Sequence, residues 1–335
     1  MAVGLLRRIA RARLAGRMLR RLRRAGVTDA RYLSRPFEVR FTAPGDSEPT
    51  ILPLAPFLAG QRSLDDLIGE LLRVPPVWGD AAPMLRPVLR GAAPGAPLSR
   101  PALPFLSEFV VVDQPDTMTY VTPAQSATWR STPDRIFATA RANLSGAVLH
   151  GSATTVRFVD DGNAYWTSHL LLPGWLQRLS EQVGGVPVAF APERGTLLVT
   201  ADGGPHLAAL FAEAEALFLR SPHALSPMAY VSDENGCTVP YRNEKLQRTV
   251  RRAESLLAMR EYAAQGLLLT LVDGWRTRAA WPRDEPVVLP EADEVLVGET
   301  VVPWAELVPH LTRTDEQPPR WTASGWPVSG DQVLE

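Results

Sequence analysis

Short apolar runs come in pairs along this chain, each pair split by turn residues and followed by helical spacing. This arrangement constrains the fold more than any single motif. "PFEVRFT" (36–42) and "TILPL" (50–54) bracket the turn-rich "APGDSEP". "SLDDLIGELL" (63–72) follows, with Ser63 as N-cap and Leu64, Leu67, Ile68, Leu71 and Leu72 at helical spacing. "EFVVVD" (108–113) and "MTYV" (118–121) form the second pair, "TTVRFVD" (154–160) and "AYWTSHLLL" (164–172) the third, "PVAFA" (187–191) and "TLLVT" (196–200) the fourth. The helices expected after them begin at "TPAQ", "PGWLQRLSEQV" and "PHLAALFAEAEALFLR". Four strand–strand–helix units predict an α+β fold: antiparallel sheets with helices packed on one face.

The second pair contains two acids, Asp113 and Asp116, three positions apart beside Pro115. Carboxylates so spaced are candidates for acid–base work or for a divalent cation. A tight turn needs the same residues, because proline presets the backbone and Asp bonds neighbouring amides, and the turn reading is favoured. Thr122 caps the next helix, Pro123 stands at its first position, and Gln125 completes a capping box. Thr132 and Pro133 repeat the device.

Other chemistry-bearing residues are scattered. Asp160 and Asp161 sit at a hairpin turn, Glu193 and Arg194 at another, where they are candidates for ligand binding. His206 opens a helix, and His223 lies in "SPHALSP", where Trp166 or Trp175 could border a pocket with it. The competing hydrolase or small-ligand reading needs Asp113 or Asp116 to meet Arg194 and His206 or His223 around one cavity. Each of these residues also has an ordinary place in a turn or loop. No phosphate-binding loop, nucleophile elbow or short-range zinc spacing is present, and neither a cofactor nor a metal is expected.

Cys237 is the single cysteine, which excludes an intrachain disulfide and suits a reducing compartment. Lys245 is the single lysine beside 34 arginines, so any lysine-dependent chemistry must use it. Residues 1–40 hold twelve arginines against Asp29 and Glu38, giving +10 and leaving −11 for the rest. On a helix Leu14, Met18, Leu19 and Leu22 share a face away from Arg13, Arg17, Arg20, Arg21 and Arg24, which predicts a core-facing helix with a solvated arginine side. Attachment of this arm to an anionic membrane surface is the lesser alternative, since no Trp or Phe anchors it. Nucleic acid is not expected, because no aromatics interleave with the arginines.

The ordered motifs "MLRPVLR", "FLSEFVVVDQPDTMTYVTPAQSATW", "ARANL", "SHLLLPGWLQRL", "VPVAFAPERGTLLV" and "HALSP" resemble the YtpQ-like bacterial proteins, a domain-of-unknown-function family. The resemblance spans roughly residues 15–230. It implies a cytosolic α+β protein and brings no activity. It departs at Arg194-Gly195, where the family pattern reads Arg-Asp, which argues against a required acid in that turn.

The expected domains are residues 1–230, with a Pro-rich connector near 91–104, and residues 231–335 as an extension or small α+β domain. The latter reads as a long helix (243–265) capped by Asn243 and stopped by Gly266, then a β-meander from "GLLLTLV", "WRTRAAW" and "EVLVG". A short helix in "PWAELVPHL" and an irregular Pro-rich tail from Thr314 complete it. Function is expected to be that of a cytoplasmic, non-catalytic interaction module holding a protein partner at the sheet rim and its turns.

Overall fold

The computed structural model describes residues 2–24, 27, 29–42, 49–58, 74–91, 97–114, 117–144, 153–159, 165–282, 286–316 and 318–323. The helix expected over 63–72, the turn acids Asp116, Asp160 and Asp161, and residues 324–335 lie outside that set. The architecture is mixed α+β, with five mostly antiparallel sheets. The chain divides into two compact units, residues 1–100 with 108–145 and residues 101–107 with 146–335.

The first unit opens with helix α1 (Ala2–Arg24). Leu14, Ala15, Met18 and Leu22 are buried and Leu19 packs against the same core, while Arg13, Arg17, Arg20 and Arg23 are exposed. The expected split between faces is present at Arg13, Arg17 and Arg20, whereas Arg21 is half-buried, and each large apolar side chain buried there contributes about 1.5–3 kcal/mol. The core it joins holds Val39 and Phe41 of β2 (Glu38–Phe41), which lies between β1 (Arg31–Leu33) and β3 (Thr50–Pro53). Strand β1 was not anticipated: three residues are too few to show alternation.

The unit's other sheet contains β4 (Leu85–Arg90), β5 (Ser99–Leu103), β6 (Leu106–Gln114) and β7 (Thr117–Tyr120). Strand β6 is central, with β4 and β5 as its neighbours and β7 paired to its end in the register Val111↔Tyr120 to Gln114↔Thr117. Helix α2 (Pro123–Thr128) starts in the expected capping box: Gln125 N–H donates to Thr122 Oγ1 at 3.2 Å, and Thr122 N–H donates to Gln125 Oε1 at 2.6 Å. Helix α3 (Pro133–Ala142) is capped by Thr132 and buries Ile136, Phe137 and Ala140.

In the second unit, β8 (Thr155–Val159), β9 (Pro187–Glu193), β10 (Thr196–Ala201), β11 (Ala229–Ser232) and β12 (Thr238–Pro240) form one sheet in the order β12-β11-β9-β10-β8. Helix α4 (Leu207–Arg220) buries Leu207, Leu210, Phe211, Ala214 and Phe218, with Phe211 edge-on to Phe190 of β9 at 4.9 Å. Its stripe matches the sequence reading, but Pro205 lies in the preceding turn and the helix begins two residues later.

The expected strand at 164–172 is absent. A 3₁₀ helix, Trp166–Leu171, occupies it, entered through Tyr165 at φ +50°. All of Thr167–Leu171 is buried, polar and apolar residues alike, and a wholly buried run carries no periodicity to separate strand from helix. The third strand–strand–helix unit therefore lacks its second strand.

Helix α5 (Gln247–Ala263) follows a short 3₁₀ turn capped by Asn243 and ends before Gly266 at φ +80°. After it, β13 (Leu269–Val272), β14 (Arg276–Ala280), β15 (Val287–Pro290), β16 (Glu294–Val297), β17 (Thr300–Pro303), β18 (Thr312–Arg313) and β19 (Arg320–Ala323) form two sheets. Their orders are β13-β14-β16-β17 and β15-β19-β18. The expected meander is wrong, because β14 and β16 pair in parallel and β15 crosses to the other sheet. The tail is not wholly irregular either. Residues 320–323 are β19, whose pairing with β15 is a long-range choice invisible to local pattern.

Candidate functional site

Helix α5 serves two cores of the second unit. Val250 packs in the core around α4 and β9, while Ala258 and Tyr262 pack in the core of the C-terminal sheets. Arg251, Glu254, Ser255, Ala258 and Tyr262, at helical spacing, line a cavity of about 320 Å³. Its other walls include Phe105, Arg242, Thr277, Glu291, Arg313 and Pro319.

The polar groups of this cavity are held in place. Arg251 donates to Glu254 at 2.9 Å and to Asp293 at 2.7 Å, and Asp293 also accepts the Thr277 N–H at 2.7 Å. Arg242 pairs with Glu254 as well. Burial works against the Arg251 charge, yet the hydrogen bonds it donates to Glu254 and Asp293 outweigh it, and the guanidinium is held more firmly protonated than usual. Ser255 donates to the Trp275 carbonyl at 2.8 Å, and Tyr262 donates its hydroxyl proton to the Pro319 carbonyl at 2.8 Å. Burial pushes the Tyr262 phenol up to about 12. Phe105 meets the Tyr262 ring edge-on at 5.9 Å from a backbone at φ +60°, a conformation that costs a non-glycine residue about 1–3 kcal/mol. The guanidinium of Arg313 has no ion pair among the described residues.

None of the residues singled out by sequence lines this cavity. Asp113 is half-buried in β6 opposite Met118, in the first unit. Glu193 and Arg194 occupy the β9–β10 turn, where Glu193 accepts from the Thr196 hydroxyl at 2.8 Å. The Arg194 N–H donates to the His223 carbonyl at 3.1 Å, so these three residues do come together, mainly through backbone. His206 is exposed at the start of α4, beyond the other end of β10. The six residues of that strand set His206 roughly 20 Å from the Arg194 turn, too far for one small ligand to touch both.

The histidine beside the tryptophans is His169, not His223. It is buried, with ring centroids 5.2 Å from Trp166 and 4.9 Å from Trp175, and its Nδ1 lies 3.2 Å from the Tyr165 carbonyl. Cys237 is exposed at a turn. Among the described residues no group of three or more His, Cys, Asp or Glu is arranged to hold a metal ion, and no helix is long and apolar enough to cross a membrane.

Sequence reasoning missed the α5 face. The signal available was the i, i+3, i+4, i+7, i+11 spacing of Arg251, Glu254, Ser255, Ala258 and Tyr262, a polar and aromatic stripe beside the apolar one. Phe105 and Pro319 had no such signal, because each is far from α5 in sequence. No family model, curated protein or solved structure matches this chain.

Proposed function

We propose that this chain is a cytoplasmic binding protein that holds a protein partner at the cavity beside α5, and that an acidic, extended segment of the partner enters it. The observation that carries this reading is a set of three guanidiniums, Arg242, Arg251 and Arg313, around two edge-packed aromatic rings in a cavity of about 320 Å³. Arginine and tyrosine are the residues most enriched where binding energy concentrates. Arg251 and Arg242 are fixed in orientation by acids, which lowers the entropy lost on engagement, while Arg313 remains available for an incoming carboxylate. A phenol pushed up to about 12 keeps its proton at neutral pH, which favours recognition over proton transfer. The scaffold belongs to the same proposal: strand–strand–helix units with helices shielding one sheet face, and YtpQ-like ancestry over roughly residues 15–230.

The test is affinity capture on the wild-type chain and on the double variant Arg242→Glu, Arg313→Glu. We expect a stoichiometric partner on the wild type, lost on charge reversal, and the same loss when the purified partner is rebound. Equal recovery on both proteins, or no partner on the wild type, would overturn the proposal.

A further inference from the structure

Helix α1 carries nine arginines and no acid over its 23 residues. Arg11 is taken up by the fold: it is half-buried, its Nη2 donates to the Ser34 carbonyl at 3.2 Å, and its guanidinium lies over the Phe37 ring at 4.1 Å. Arg21 is half-buried as well. Arg13, Arg17, Arg20 and Arg23 are different. All four are exposed, and none pairs with a carboxylate among the described residues. At about 100° per residue they fall within an arc of roughly 120° and along about 15 Å of helix. That arc lies opposite the buried Leu14, Ala15, Met18 and Leu22.

A row of this kind works against its own helix. Arg13 and Arg17 stand at i, i+4, and Arg17, Arg20 and Arg23 follow at i, i+3 steps, where like charges repel. A solvated face ordinarily interleaves acids that turn this repulsion into attraction, and α1 has none. An anion from outside the chain relieves it. The residues among the arginines narrow what that anion is. Ala12 is exposed, and Arg20 lies back along the helix over Gly16, where an added Cβ would stand 3.5 Å from Nη1. No aromatic ring interrupts the row to stack a base or to anchor a protein partner. A helix that reads a duplex enters the major groove, whereas α1 has one side committed to the core. A long charged helix side of this shape fits a plane of negative charge.

We propose that the Arg13, Arg17, Arg20 and Arg23 face of α1 binds an anionic phospholipid surface, lying along it at headgroup depth. Planar guanidinium N–H pairs suit the phosphate and carboxylate oxygens of such headgroups. An interfacial helix sinks its apolar face toward the acyl chains, but that face of α1 is packed in the first unit's core. Contact is therefore electrostatic, reversible and sensitive to salt. Each arginine near an anionic surface multiplies the partition by about fivefold, so four give about several hundredfold over a neutral one. This surface is separate from the cavity of the preceding section, and each stands or fails alone.

The experiment is cosedimentation of the full chain with phosphatidylcholine vesicles, with and without about one third phosphatidylserine, at about 0.1 M and about 0.5 M salt. Binding is expected with phosphatidylserine alone, and it is expected to fall at the higher salt. The triple variant Arg13→Gln, Arg17→Gln, Arg20→Gln is expected to melt no lower than wild type, since it removes like-charge pairs, and to lose roughly a hundredfold in partition. Arg17→Gln alone is expected to lose about fivefold and serves if the triple variant does not fold. Arg178→Gln, Arg220→Gln, Arg248→Gln removes the same charge from exposed positions of the second unit and is expected to keep its binding. No binding to the phosphatidylserine vesicles, equal binding to both kinds, undiminished binding by the α1 variants, or an equal loss in the second-unit variant would overturn the proposal. Tighter binding to a DNA duplex than to the phosphatidylserine vesicles would overturn the assignment to a membrane.

Discussion

The two units of this chain divide its charge in opposite senses. The first holds 20 basic residues against 12 acidic, a balance of +8, and the second holds 15 against 24, a balance of −9. A net charge of −1 for the whole conceals both. The sign of a unit does not predict how its interior is paired. Around α5 and β14 the acidic unit pairs Arg251 with Asp293, Arg252 with Glu215 and Arg276 with Glu294. The basic unit sets two arginines, Arg100 and Arg141, around one buried acid, Glu108. Surface charge answers to solvation and steering, while buried charge must be compensated locally, so the two are set by different constraints.

The sharpest way to break this comparison is to remove the shared acid. Glu108→Ala leaves Arg100 and Arg141 without their counter-charge and is expected to cost about 3–5 kcal/mol in urea unfolding. Glu294→Ala should cost less, because Asp273 still pairs with Arg276 and only Arg278 loses its acid. Equal losses would erase the distinction between the units. Met18→Ala comes next, at about 2–5 kcal/mol, since α1 lends its apolar face to the first core. A negligible loss would show that face free for a membrane surface instead.

In the second unit, Tyr262→Phe removes the hydrogen bond to Pro319 and should cost about 1 kcal/mol near neutrality. It should also change the alkaline limb. The Tyr262 pKa is raised by folding, so the stability it contributes is intact below pH 10 and is lost as pH rises toward about 12. The variant is expected to lose part of that decline, with Tyr241, also pushed up to about 12, supplying some of the remainder. An unchanged slope between pH 10 and 12 would contradict the buried phenol. Thr122→Ala is expected to cost about 0.5–2 kcal/mol for one helix cap, measured by thermal unfolding.

Features readable in the sequence were those whose partners lie within a few residues. The Thr122–Gln125 box, the α1 stripe, the α4 stripe and the Asn243 and Gly266 bounds of α5 all follow from local stereochemistry. The 166–171 segment misled because a wholly buried run has no period. The turn acids drew attention by composition, but Asp113 entered a strand pair. Of the residues that build the cavity, those on α5 follow helical spacing, while Phe105 and Pro319 are far from it in sequence.

What the chain determines by itself is where helices and hairpins start and stop, since capping and alternation act over a few bonds. Tertiary structure alone decides that β14 takes β16 as a parallel neighbour, that Phe105 reaches Tyr262, and that Arg90 is buried with no acid paired to it among the described residues. Those outcomes come from packing segments that are distant along the chain, and the energy of a buried charge or a paired edge depends on what is brought against it.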